Sequence, residues 1–324
     1  MRSLILTNVT LAALAWILMP SAIAQAYPVK PIRVVIPNPA GGIDAYLRLA
    51  APKLQELLGQ PLVIENRPGG ASGSIGTDNI AKSAPDGYSL LFCTPAQIVT
   101  GPFLNKNLPY HPIRDFTPIS KLLEPVETLA VRGELPANTM RELIDYAKKN
   151  PGKLTYGSSG VGSIPHFDGE LFKAGAGVDL LHIPYKGIAQ IIPELAAGRI
   201  DVAFPAFGSA APMLSAGKIR VLAVLGSTRY ARMPDVPAIT ETLPGFQAAP
   251  IWFSLFGPAG LPRPMVDRLY GAVSKALAVP EVREQFEKLY MRAVATTPEA
   301  LAAAIKADTE LVAGLVKQIG LNPE

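Results

Sequence analysis

Pro37-Asn38-Pro39-Ala40-Gly41-Gly42-Ile43-Asp44 stands between an apolar run, Ile32 to Ile36, and a segment of helical spacing that opens near Ile43. A glycine turn in that position leaves backbone N–H groups unpaired at the positive end of a helix, which is the chemistry that holds a carboxylate. Ser158-Ser159-Gly160-Val161-Gly162-Ser163 repeats the arrangement, after the strand pattern Leu154 to Gly157 and before another helix. Two such turns facing each other would hold the two ends of one small acid. The expected donors are the backbone of Ala40, Gly41, Gly42 and Ile43 in the first turn, and Ser158, Ser159, Gly160, Gly162 and Ser163 in the second. Asp44 shares the first turn, where its carboxylate would cap backbone donors and turn away from an anionic ligand.

Other candidates lie where strands end. Thr94 follows the buried pattern Ser89 to Cys93, and Pro205 and Ala206 follow Ile200 to Phe204. In open α/β sheets ligands sit at these carboxyl ends. His166 begins the helix after the second turn and can donate to an anion, and Lys186, in the turn Pro184-Tyr185-Lys186-Gly187, would attract one. Ser159 with His166 leaves a hydrolase open, although Gly157-Ser158-Ser159-Gly160 lacks the spacing of a nucleophile elbow. No pair among His111, His166 and His182 has metal-ligand spacing with a carboxylate or thiolate partner, so no metal is expected.

The elements that must position these turns alternate between strand and helix from Tyr27 onward, which predicts an α/β protein with largely parallel sheets. Leu47, Ala50, Leu54, Leu57 and Leu58 give the first helix its apolar face, and Gly59 is placed to end it. Thr139-Met140-Arg141-Glu142 has capping-box spacing, and Thr297-Pro298-Glu299 marks the start of the last helix. The proline-rich stretch near residue 125 and the loop-rich one after residue 226 read as two crossings. They divide the chain into 27–124 plus 229–324 and an inserted 125–228, a connection that permits hinge closure over a cleft.

Composition excludes several classes. The 324 residues are 49% hydrophobic and 17% charged, with a formal net charge of +4. The charges are scattered rather than striped, so no nucleic-acid partner is expected. Cys93 is the only cysteine, so no internal disulfide forms and packing supplies the stability. Arg2, the apolar run Leu11 to Met19 and the small residues Ser21 to Ala26 have the order of a secretory signal peptide, expected to span residues 1–26.

With these segments in place the chain resembles the substrate-binding proteins of the tripartite tricarboxylate transporter family, also called the Bug family of periplasmic receptors. The resemblance rests on Tyr27-Pro28-Val29-Lys30-Pro31, Glu65-Asn66-Arg67-Pro68-Gly69, Pro85-Asp86-Gly87-Tyr88, Leu108-Pro109-Tyr110, Asn150-Pro151-Gly152, His182-Ile183-Pro184-Tyr185-Lys186-Gly187 and Pro258-Ala259-Gly260-Leu261-Pro262, in this order. It implies a two-lobed periplasmic binding protein fold of type II, without a cofactor, not an enzyme and expected as a monomer. Such a protein closes on a small carboxylate and delivers it to inner-membrane permease subunits, or presents its closed form to a signalling receptor. The resemblance also carries three departures. Only Ile43 separates Gly42 from Asp44, Asn38 stands where an aromatic residue is common, and Pro205-Ala206 stands where many relatives place an aspartate suited to an amino group. The last of these points to a plain or aromatic carboxylate.

Overall fold

The computed structural model describes residues 27–185 and 188–320, so the signal-peptide expectation for 1–26 and the ligand role expected of Lys186 lie outside the described residues. The first stretch forms β1 (Ile32–Ile36), α1 (Ile43–Leu58), β2 (Leu62–Asn66), α2 (Ser74–Ala81), β3 (Ser89–Cys93), α3 (Gly101–Leu104) and β4 (Phe116–Pro125). The middle forms β5 (Thr128–Arg132), α4 (Met140–Lys149), β6 (Thr155–Ser158), α5 (Ile164–Ala176), β7 (Leu181–Pro184), α6 (Ile188–Ala196), β8 (Val202–Ala203), α7 (Phe207–Ser215) and β9 (Ile219–Val224). The chain returns through β10 (Phe253–Pro258), α8 (Arg263–Ala278), α9 (Pro280–Lys288), β11 (Met291–Ala293) and α10 (Pro298–Gln318).

These strands build two sheets, one ordered β11-β4-β10-β3-β1-β2 and the other β7-β6-β8-β5-β9. The first sheet is covered on both faces because its strands are apolar at successive positions. Ile32, Val34 and Ile36 of β1, with Leu90 and Phe92 of β3, face α1 and α8, while Val35, Leu91 and Cys93 face the opposite layer with Ile80 and α10. Side chains alternate across a strand, so an uninterrupted apolar run is what a sheet buried on both sides requires. In the second sheet Tyr156 packs with Phe172 and Phe204 under α4 and α5. Gly169 of α5 lies so close to Tyr156 that an added Cβ would stand 2.1 Å from its ring.

The sheets are less parallel than the alternation predicts. β1 pairs in parallel with β2 and β3, and β6 with β7 and β8, but β10 pairs antiparallel with β3 and β4, β11 antiparallel with β4, and β5 antiparallel with β8 and β9. Parallel neighbours need a crossover, usually a helix. β5 and β10 instead arrive from the other sheet and carry no such constraint. β4 passes into β5 through Val126 and Glu127 alone, and the way back runs from β9 to β10.

The capping signals are met in detail. Thr139 Oγ1 accepts from Glu142 N at 3.2 Å while the Glu142 carboxylate accepts from Asn138 N at 2.6 Å, and Thr297 Oγ1 accepts from Ala300 N at 3.2 Å. Gly59 ends α1 at φ 75°, a conformation that costs glycine nothing. The one shortfall is Leu57, which packs only partly buried beside its helix partners.

Candidate functional site

A cavity of about 590 Å3 opens where the two sheets face each other. Tyr46 of α1, Ser72, Thr100, Leu104 and Phe253 line it from the first lobe, and Glu127, Ser159, Gly162, Ser163, Phe204 and Ala206 line it from the second. The walls are mostly apolar, and Tyr46 and Phe253 stack with ring centroids 5.4 Å apart. Among the described residues Glu127 is the one acid that lines the cavity, and no Arg, Lys or His does.

The serine-glycine turn reaches this cavity through Ser159, Gly162 and Ser163. Ser158 does not; it is fully buried and shapes the turn from below. Its hydroxyl lies 2.6 Å from His182 Nε2, accepts from Gly160 N at 3.1 Å, and is 3.1 Å from Gly160 O. Ser163 Oγ donates to the same Gly160 carbonyl at 2.7 Å. Gly160, at φ 118°, therefore serves the turn's internal bonding and does not line the cavity. His166 is buried, and its Nδ1 accepts from Gly162 N at 2.9 Å, so it holds the turn rather than lining the cleft. The N–H groups of Ser159, Val161 and Ile164 have no acceptor among the described residues. They stand at the amino end of the 13-residue helix α5, where the helix dipole favours negative charge.

His166 and His182 stack with centroids 4.2 Å apart, and Tyr156 stacks on the far side of His182. Burial lowers the pKa of both imidazoles, and with His166 beside it that of His182 is pushed down to about 4. Both rings are neutral at pH 7, so the turn meets an anion with neutral donors. The hydrolase pairing finds no geometric support: His166 engages Gly162, the serine that meets a histidine is Ser158, and that serine is fully buried.

The first glycine turn is placed differently. Ala40, Gly41 and Gly42 are exposed, Ile43 is half-buried, and none of them lines the cavity. Asp44 is buried, accepts from Gly42 N at 2.9 Å and pairs with Arg48 at 3.3 Å. Burial opposes its charge, but Arg48 and the N–H groups of Gly42 and Gly41 outweigh that and hold the carboxyl below its ordinary value. Asp44 is thus the cap that its position in the turn requires, and it occupies the Gly42 N–H that an anion would need. Thr94 is likewise occupied, since its N–H and hydroxyl both bond Gln97 Oε1. Pro205 is buried with its carbonyl taking the N–H and hydroxyl of Thr128, while its neighbour Ala206 lines the cleft.

Ser72, in the glycine-rich connection before α2, lines the first lobe's wall with Thr100, where the turn at Gly41 does not reach. Its backbone is in the left-handed region at φ 51°, its carbonyl accepts from Gln97 and its hydroxyl from Asn105. Glu127 also lines the cavity and, like Ser72, Tyr46 and Phe253, is not among the residues the motifs single out. A single acid in the run Val126-Glu127-Thr128-Leu129-Ala130-Val131 was the available signal, because burial of its neighbours would draw it inside.

Two sheets joined by two crossings around a cleft, with N–H groups unpaired among the described residues on one wall, give the two-lobed architecture of a solute-binding protein. The comparisons agree. Residues 46–321 match the model of the tripartite tricarboxylate transporter family receptor, and the chain belongs to that family. The periplasmic binding protein BugD is 34% identical, with a TM-score of 0.72 over 92% of this chain and 100% of its own. Rpa4515 of Rhodopseudomonas palustris, solved with adipate, is 31% identical with a TM-score of 0.77 over 92% and 100%. MatC of the same organism, with bound malate, is 30% identical with a TM-score of 0.71 over 90% and 100%.

Proposed function

We propose that this protein is a periplasmic receptor that captures a small organic carboxylate in the cleft and delivers it to the inner-membrane permease of a tripartite tricarboxylate-type transporter. The observation that carries the reading is the turn from Ser159 to Ser163, which opens on the cavity with backbone donors left without acceptors at the start of α5. Adipate and malate in the solved relatives are ligands of the same chemical class. The units 27–124 with 229–324 and 125–228 act as the lobes, and closing them removes water from the donors and so strengthens each hydrogen bond. Binding without turnover, as a monomer and without a cofactor, completes the reading. Location in the periplasm follows from the family and from the signal-peptide pattern at the start of the sequence.

A thermal-shift screen tests it. Residues 27–324, refolded to remove any copurified ligand, are heated with dicarboxylates, tricarboxylates and aromatic carboxylates. A ligand at about 100 times its Kd adds ~2.7 kcal/mol, a rise of several degrees. A selective rise with one class supports the receptor, and no rise with any acid contradicts it.

A further inference from the structure

Glu127 is only 6% exposed, yet it lines the cavity, and its carboxyl has no hydrogen-bond or ion-pair partner among the described residues. Its backbone is fixed on both sides. Glu127 pairs in antiparallel register with Ala206, Phe207 N bonds Val126 O at 2.8 Å, and Leu225 N bonds Glu127 O at 2.9 Å. Residues directly opposite in such a pair project to the same face, so the acid occupies the wall that Ala206 leaves open.

Among the described residues its surroundings hold no counter-charge. Asp168 of α5 is the charged group that acts on Glu127, and it too is an acid, fully buried, with one carboxyl oxygen bonded by Ala249 N at 2.7 Å and the other without a partner. Burial and this neighbour raise the Glu127 carboxyl well above its ordinary value. Among the described residues no Arg, Lys or His lines the cavity. A buried acid is stabilised by an opposite charge and by donors, and no described residue provides either. The ligand can.

We infer that Glu127 is the specificity group of the cleft and holds an ammonium group of a ligand whose carboxylate is bound at the Ser159–Ser163 turn. The ligand class is then a zwitterion with an apolar body, matching the stacked Tyr46 and Phe253 and the other apolar walls. The acid across from Ala206 supplies what Pro205 and Ala206 lack, so the plain carboxylate expected from those two residues gives way to an amine-bearing one. This deepens the carboxylate-receptor reading and rests on it. A neutral Glu127 donating its proton to a second ligand carboxylate is the competing arrangement, and the same experiment separates the two.

The test is calorimetric titration of the protein with matched pairs: 6-aminohexanoate against adipate and hexanoate, and phenylalanine against 3-phenylpropionate. At least one amine-bearing acid should bind about tenfold tighter than its amine-free match. Glu127→Gln, which is isosteric, should erase that preference, and Glu127→Asp, which keeps the acid, should retain most of it. Amine-free acids binding as well or better in every pair, or a preference that survives Glu127→Gln, overturns the inference while leaving the receptor reading intact. Binding by neither member of any pair overturns both.

Discussion

Replacing Asp168 with asparagine should stabilise the protein markedly at about pH 8 and hardly at all near pH 4. Asp168 is fully buried, and burial, partly relieved by the Ala249 N–H, pushes its carboxyl from the ordinary 3.8 up to about 7. The folded state therefore holds a proton that the unfolded state has already released through the window between these values. Its contribution is greatest below the lower value, falls as pH rises and is fully lost above about pH 7. At ~1.4 kcal/mol for each pH unit the swing is roughly 4 kcal/mol. His182 works in the opposite direction: with its pKa lowered from 6.5 to about 4, its contribution is present above 6.5 and lost as pH falls through the window. The wild-type profile therefore mixes both, and the difference between Asp168→Asn and wild type cancels His182 and leaves Asp168 together with its effect on Glu127. Urea unfolding across this pH range measures it. A difference that stays flat with pH would mean that Asp168 is ionised in the folded protein.

Gly162→Val should weaken ligand binding by roughly a hundredfold while leaving the protein folded. Gly162 has φ 78°, and an added Cβ would stand 2.6 Å from Leu104 Cδ2, on the opposite lobe. The left-handed backbone costs an ordinary residue about 1–2 kcal/mol, and valine adds a branch toward Leu104. The open protein can relax this by parting the lobes, whereas the bound state needs the turn intact and the lobes together. Gly162→Ala should lose less, because it strains the backbone without the second branch. Titration calorimetry, with circular dichroism to verify folding, reads both variants. Unchanged affinity in Gly162→Val would move the site away from this turn.

Much of the architecture is legible in the chain because strong local signals decide it. Apolar runs such as Leu90 to Cys93 form strands wherever both faces are covered, and Thr139 and Thr297 cap their helices through short-range bonds that need no tertiary help. The antiparallel pairing of β5 and β10 is not legible, because strand direction depends on which sheet a segment comes from and no residue type records that. At the site, the serine-glycine turn expected to meet an anion borders the cavity, yet which of its groups are free depends on the partners His166 and His182 offer from elsewhere. The same holds for the turn at Gly41. Its sequence promises open N–H groups, but Asp44 two residues on from Gly42 folds back onto them, and the only residue between the two leaves little room for any other outcome. Glu127 becomes meaningful only when β5 is set beside Ala206.

The central claim is that a small acid binds between the lobes against the Ser159–Ser163 turn. Ser159 lines the cavity from an edge of the second lobe and is half-buried, so a large side chain there fills the cleft without disturbing the core. The direct measurement is calorimetric titration of the acid that gives the largest thermal shift, into wild type and into Ser159→Trp. One ligand bound per wild-type chain, with binding lost in a Ser159→Trp variant that still unfolds cooperatively, is the predicted result. Equal affinity in the two proteins would contradict it and place the ligand outside the cleft.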